Sequence, residues 1–323
     1  MDNQKHAKIA NSSIPALDDS DKGQVSMSFP RASGILLHPT SLPGQFGIGD
    51  LGKEAYQFVD FLASTGQRLW QILPLGPTGY GNSPYQCLSV FAGNPLFISL
   101  ERLVEDKLLG PADLENAPSF PKDRVDYGSV IKFKMPLLKK SFETFQRKAA
   151  PGEREQFEVF CQQNTSWLET YSLFIASKEA HGLAAWNTWA EGIRRQQPKS
   201  LERWSKKLDH EIRCHKYQQY QFFKQWSELK KYCNEHGIRI IGDMPIFIAL
   251  NSAEVWAHPE MFYLDTSGKP TVVAGVPPDY FSKTGQLWGN PLYRWDVMAR
   301  DGYAWWIERF RATHALVDII RLD

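Results

Sequence analysis

Two apolar runs in this chain end on a carboxylate. Arg239-Ile240-Ile241-Gly242-Asp243-Met244-Pro245 breaks at a proline soon after its acid, and the stretch "ALVDIIRLD" closes on Asp323. Runs this short and this apolar read as strands buried on both faces, the pattern of a parallel sheet, which must be covered by crossover helices. Two earlier runs fit the same sheet, one from Ser33 to Pro39 and one from Arg68 to Leu75. Between them Ala55, Phe58, Val59 and Leu62 recur at helical spacing, and Gly66 supplies a left-handed cap. Strand, loop, helix, strand is the opening of an α/β fold. About four strands are legible, near residues 35, 70, 240 and 318, against the eight of a closed (β/α) barrel. The sheet is therefore expected to be open, or the chain to be part of a larger barrel.

The remaining chain sorts by character. Residues 1–28 carry Asp2, Asp18, Asp19 and Asp21 but neither an apolar run nor an arginine, so they read as a disordered tail, not a secretory or organelle signal. Residues 29–100 hold the first strands and their loops. Residues 101–210 are rich in Glu, Lys and Gln with helical periodicity, and are expected to form a helical insertion. Residues 211–323 resume the α/β pattern with a helix carrying Phe222, Trp226, Leu229 and Cys233 on one face, ended by Gly237.

Lys and Arg number 37 against 36 for Asp and Glu, and the basic pairs are scattered, so neither nucleic acid nor an anionic membrane is an expected partner. Cys87, Cys161, Cys214 and Cys233 stand apart and read as reduced thiols of a cytoplasmic, soluble protein. The 8 histidines form no metal-binding constellation, and the sequence has neither a phosphate-binding glycine loop nor a Gly-x-Ser-x-Gly elbow.

In parallel α/β folds ligands bind at the carboxyl ends of the strands, where Asp243 and Asp323 fall. A lone acid there can equally cap a helix. Asp323 has more behind it, since Arg321, two residues earlier, faces the same way and would hold the carboxylate ionised. The loops above hold Ser83 and Tyr85, then Asp279, Tyr280, Phe281, Gln286, Trp288 and Asn290. Residues 275–291, "GVPPDYFSKTGQLWGNP", have the composition of a loop yet carry three large aromatics. Aromatic faces beside amides and acids suit a sugar, although the same rings could instead pack beneath their own loop. His38, at the end of the first strand, would either touch a ligand or serve the structure.

The segments "SGILLHPTSLPGQFGIGDLG", "LWQILPLGPTGYGNSPYQ", "IGDMPIFIALNSAEVWAHPEMF", "VAGVPPDYFSKTGQLWGNPLYRW" and "IIRLD" together resemble glycoside hydrolase family 77, the amylomaltase-type 4-α-glucanotransferases of the α-amylase clan. The resemblance runs from about residue 31 to the end of the sequence. It implies a (β/α)8 TIM barrel with a helical insertion, of which this chain would hold strands one to four. It implies Asp323 as the catalytic nucleophile and Arg321 as the residue holding it. Asp243 would contact the sugar at the cleavage point, Tyr85 would be the platform beneath it, and residues 275–291 would form a lid. Maltooligosaccharides or longer α-1,4-glucans would be the substrates of a retaining double displacement, without cofactor or metal. The family's motif continues past the nucleophile with His-Phe-Arg-Gly, and its general acid and third aspartate lie further on. The 323-residue chain alone is therefore expected to bind glucan without turning it over. An α-glucan hydrolase of the same clan is the other enzymatic reading.

Overall fold

The computed structural model describes residues 30–323, so the tail at 1–28 lies outside the described residues. Its strands are β1 (Gly34–Leu36), β2 (Leu69–Gln71), β3 (Arg239–Met244), β4 (Val273–Val276), β5 (Gln286–Pro291) and β6 (Ile319–Leu322). The helices are α1 (Lys53–Ser64), α2 (Leu100–Glu105), α3 (Tyr127–Lys148), α4 (Pro151–Gln163), α5 (Thr165–Ala180), α6 (Glu191–Arg194), α7 (Pro198–Lys207), α8 (Asp209–Glu235), α9 (Ala253–Ala257), α10 (Trp295–Met298) and α11 (Ala304–Leu316). Four strands form a parallel sheet in the order β1-β2-β3-β6, so sheet order follows chain order. The protein is α/β, as its strand patterns predict. Residues from Ala32 to Asp323, including the helices that precede α8, form one compact unit.

Helices cover the sheet by the spacing the sequence shows. On α1, Ala55, Val59 and Leu62 are fully buried, and Phe58 meets Trp70 of β2 edge-on at 5.2 Å. α8 buries Tyr217, Phe222, Trp226, Leu229 and Cys233 in the same core. Gly66 and Gly237, which follow these helices, take φ of +75° and +71°, a conformation that a side chain resists. Buried tryptophans find carbonyls for their indole N–H groups: Trp70 donates to Leu37 O at 2.7 Å and Trp226 to Leu316 O at 2.9 Å. Part of the aromatic surplus is thus core.

Polar groups inside the core do a strand's work. Gln219 of α8 donates to Gly93 O at 2.9 Å and accepts from Gly93 N at 2.7 Å, and Gln225 bonds Ser99 in the same two-way manner at 3.3 and 2.8 Å. The chain leaving the Tyr85 loop is therefore stitched to α8 where no strand is available to pair with it. Lys134 of α3, fully buried, donates to Asp50 Oδ2 at 3.1 Å and Leu96 O at 2.8 Å, tying the loop after β1 to the helical segment.

Residues 275–291 depart from the expected loop. β4 and β5 pair antiparallel, with Val276 opposite Gln286, so most of the segment is a hairpin whose tip spans residues 277–285. The four cysteines are free, three of them buried. No helix among the described residues is long and apolar enough to cross a membrane.

Candidate active site

Register builds the centre of the site. In the β3–β6 pairing Asp243 lies opposite Arg321. Paired residues share a face of a sheet, and so do residues two apart on one strand, which brings Asp243, Arg321 and Asp323 together. Arg321 Nη1 donates to both Asp243 oxygens, at 2.9 and 3.0 Å, while Nη2 donates to Asp323 Oδ1 at 2.5 Å. One planar guanidinium thus holds two carboxylates. Their exposures differ: the Asp243 side chain is 1% exposed and that of Asp323 38%. Asp243, more than Asp323, pushes the Arg321 pKa up.

Tyr85 reaches the same cluster from the loop after β2. That loop closes on itself through Gly79 N to Gln86 O and Leu88 N to Pro77 O, each at 2.8 Å. Ser83 accepts from Tyr85 N through its hydroxyl at 3.3 Å, which shapes the turn. The Tyr85 hydroxyl then donates to Asp243 Oδ2 at 2.7 Å. Burial, that hydrogen bond and the nearby negative charge push the phenol up to about 12, so it stays protonated and a donor at neutral pH.

The hairpin contributes aromatics. Asp279 accepts from Phe281 N at 2.9 Å and Ser282 N at 2.7 Å, an Asx turn that throws the next two rings outward. Tyr280 is 96% and Phe281 89% exposed, so the alternative in which these rings pack beneath their own loop does not hold for either. Trp288 is half-exposed, donates its indole N–H to Gln286 Oε1 at 3.1 Å and lies 6.4 Å from the Phe247 ring. Phe247, not singled out from the sequence, also stacks 6.4 Å from Tyr293 and so links the exit of β3 to the hairpin.

Two sequence candidates make no hydrogen bond to this centre among the described residues. Asn290 is buried and donates to Ile248 O at 2.9 Å, which gives its amide a structural bond at the hairpin's foot. His38 packs edge-on to Phe97 at 5.4 Å, and burial pulls its pKa down to about 4. Among the described residues, no hydrogen bond joins His38 to Asp243, Arg321 or Asp323. The sequence paired Arg321 with Asp323 alone. Its fork on Asp243 depends on strand register, and aligning the two acid-ended runs side by side is the signal that would have found it.

A parallel α/β sheet that gathers linked carboxylates at its strand ends places the protein among the α/β folds whose ligand site lies at the carboxyl ends of the strands. Within that class the chain belongs to glycoside hydrolase family 77, whose profile, described as 4-alpha-glucanotransferase, matches residues 37–323. It is 54% identical over 297 residues to a 4-alpha-glucanotransferase of Thermus thermophilus, covering 92% of this chain and 59% of that protein. A Synechocystis protein of the same description is 51% identical over 294 residues, 91% of this chain and 58% of the relative. Among solved structures, an amylomaltase from Streptococcus agalactiae in complex with acarbose aligns with a TM-score of 0.87 at 42% identity, covering 91% of this chain and 59% of that one. An amylomaltase from Corynebacterium glutamicum, with a TM-score of 0.72 at 20% identity over 90% of this chain and 40% of its own, shares the fold. The chain thus spans somewhat under 60% of the curated relatives' length.

Proposed function

We propose that this site serves 4-α-glucanotransfer, in which an α-1,4-glucan segment moves from one maltooligosaccharide to another. The observation that carries the reading is the Arg321 fork joining Asp243 to Asp323, with the Tyr85 hydroxyl on the same buried acid. In this reading Asp323 attacks the anomeric carbon and becomes the glucosyl ester, with Arg321 fixing its direction. Asp243 and Tyr85 hold the sugar at the cleavage point, while Ser83 shapes their loop. The hairpin residues Asp279, Tyr280, Phe281, Gln286 and Trp288 meet donor and acceptor from above, on the footing that Asn290 provides. A covalent glycosyl intermediate needs a second carboxyl about 5 Å away to protonate the leaving sugar. This reading takes that acid from the part of the relatives' length that the chain does not cover. Transfer in place of hydrolysis then requires that acceptor sugar, oriented under the hairpin, outcompete water.

The same reading makes the four parallel strands the first half of a (β/α)8 barrel, with residues 101–210 as a helical insertion and 275–291 as a lid. In-order strands and open edges at β1 and β6 support it. Unpaired thiols fit a cytoplasmic setting.

Chromatography of products from maltotriose tests the proposal. An intact protein carrying this chain is expected to yield glucose together with longer oligosaccharides, and Asp323→Asn to abolish both. Shortened products without any lengthening would make it a hydrolase, and no product at all would end the reading. The 323-residue chain alone is expected to bind maltooligosaccharide without turnover.

A further inference from the structure

Among the charged side chains buried outside the fork, which include Lys134 and Lys178, two bear on the loops of the site. Arg309 of α11 is 2% exposed and Glu254 of α9 is 6% exposed. Burial pushes Glu254 up and Arg309 down, and each charge partly offsets the other. Apolar residues of similar volume would fill such places without that desolvation. What the two groups hold accounts for them.

Arg309 directs its donors at the backbone. Nη2 donates to Pro245 O, and Nη1 to Ile246 O at 3.2 Å and the Tyr293 hydroxyl at 3.4 Å. Pro245 and Ile246 are the turn by which the chain leaves β3, immediately after Asp243-Met244. Tyr293 lies just beyond β5, at the foot of the aromatic hairpin, and its hydroxyl donates to the same Ile246 O at 2.8 Å. The guanidinium also lies 5.6 Å from the Trp305 ring and 5.0 Å from that of Trp306, which restricts its orientation. Glu254 serves a third segment. Its Oε1 accepts from Ser89 Oγ at 2.5 Å and Val90 N at 3.2 Å, and Ser89 Oγ in turn accepts from Phe91 N and Ala92 N. Next to it, Ala253 N donates to Leu88 O at 2.9 Å. Residues 88–92 continue the loop that carries Tyr85.

We infer that Arg309 and Glu254 are positioning residues that act as one internal anchor: Arg309 joins the β3 exit to the hairpin's foot, Glu254 fixes the Tyr85 loop, and together they set the Tyr85 hydroxyl on Asp243. Neither touches the proposed substrate. The inference rests on the proposed function for its kinetic readout only.

The test compares Arg309→Lys, Arg309→Met, Glu254→Gln and Glu254→Leu in the intact protein, by amide hydrogen exchange with mass spectrometry and by maltotriose kinetics. In R309M, exchange is expected to quicken about tenfold or more in residues 244–250 and 291–294, and in E254L in residues 84–92, while α1 and α3 stay protected. KM is expected to rise, with kcat/KM falling about 10- to 100-fold, because misplaced binding groups act on the bound sugar. A merely destabilised enzyme would lose active fraction and leave KM unchanged. R309K, which keeps donors for the carbonyls, and E254Q, which keeps the Oε1 acceptor, are expected to recover part of both readouts. Quickening spread evenly over the chain, or an unchanged KM with unchanged local exchange, would overturn the inference. If the unaltered protein transfers no glucan, the proposed function falls and the exchange pattern alone decides on the anchor. Should R309M fail to fold, R309K with E254Q and E254L gives the same comparison.

Discussion

One guanidinium serving two carboxylates leaves little room for substitution. Lysine at position 321 would keep the charge but present a single ammonium, which cannot make the fork on Asp243 and reach Asp323 together. Arg321→Lys is expected to lower transferase kcat/KM by about 10- to 100-fold; steady-state kinetics beside urea unfolding would separate that loss from any loss of fold. His38 carries a pH signature. Its pKa falls from 6.5 to about 4 on burial, so below pH 6.5 the unfolded chain takes up the proton first and stability drops until the folded protein also titrates. Urea unfolding is expected to show a loss of about 2 kcal/mol between about pH 7 and about pH 5, absent in His38→Gln. A pH response equal in that variant would assign the loss to other groups. At this scale the sequence told which residues could matter but not whom they touch. Asp243, Arg321 and Asp323 were legible as strand-end groups, whereas Arg309, Lys134 and Glu254 resembled any surface charge, because burial of a long polar side chain leaves no mark on composition.

Elements were legible where periodicity was strong. α1 and α8 follow their apolar spacing closely, and their ends fall at Gly66 and Gly237. The β4–β5 hairpin was not, since Pro277, Pro278 and Gly285 mask two strands held by each other instead of by a buried face. Its outward rings separate binding from folding. Tyr280→Ala and Phe281→Ala are expected to leave stability within about 0.5 kcal/mol, since neither ring is buried. KM for maltooligosaccharides is expected to rise severalfold, with a smaller change in kcat. Thermal unfolding and product-length analysis would check the pair, and an unchanged KM would remove the hairpin from substrate contact.

Among the described residues, β1 and β6 form the two edges of the parallel sheet. Leu36 on β1 is 55% exposed and Leu322 on β6 51% exposed, beside strands with free backbone groups. Such edges invite pairing with another chain. The 323-residue chain is expected to self-associate through these edges at micromolar concentration, read by light scattering. A monomeric short chain would mean that its edges are covered by other means. Family membership was readable from continuous motifs, and so was the α/β class; a count of strands could not decide between an open sheet and part of a barrel. The β3–β6 register has one more consequence. Asp243 and Arg321 are 78 residues apart in the chain, and a slip of one residue would turn Arg321 to the opposite face of the sheet. On the proposed function only the aligned register would gather Tyr85, Asp243 and Asp323 around one sugar, so glucan at a hundred times its dissociation constant would favour that arrangement by about 2.7 kcal/mol over misaligned forms that do not bind it.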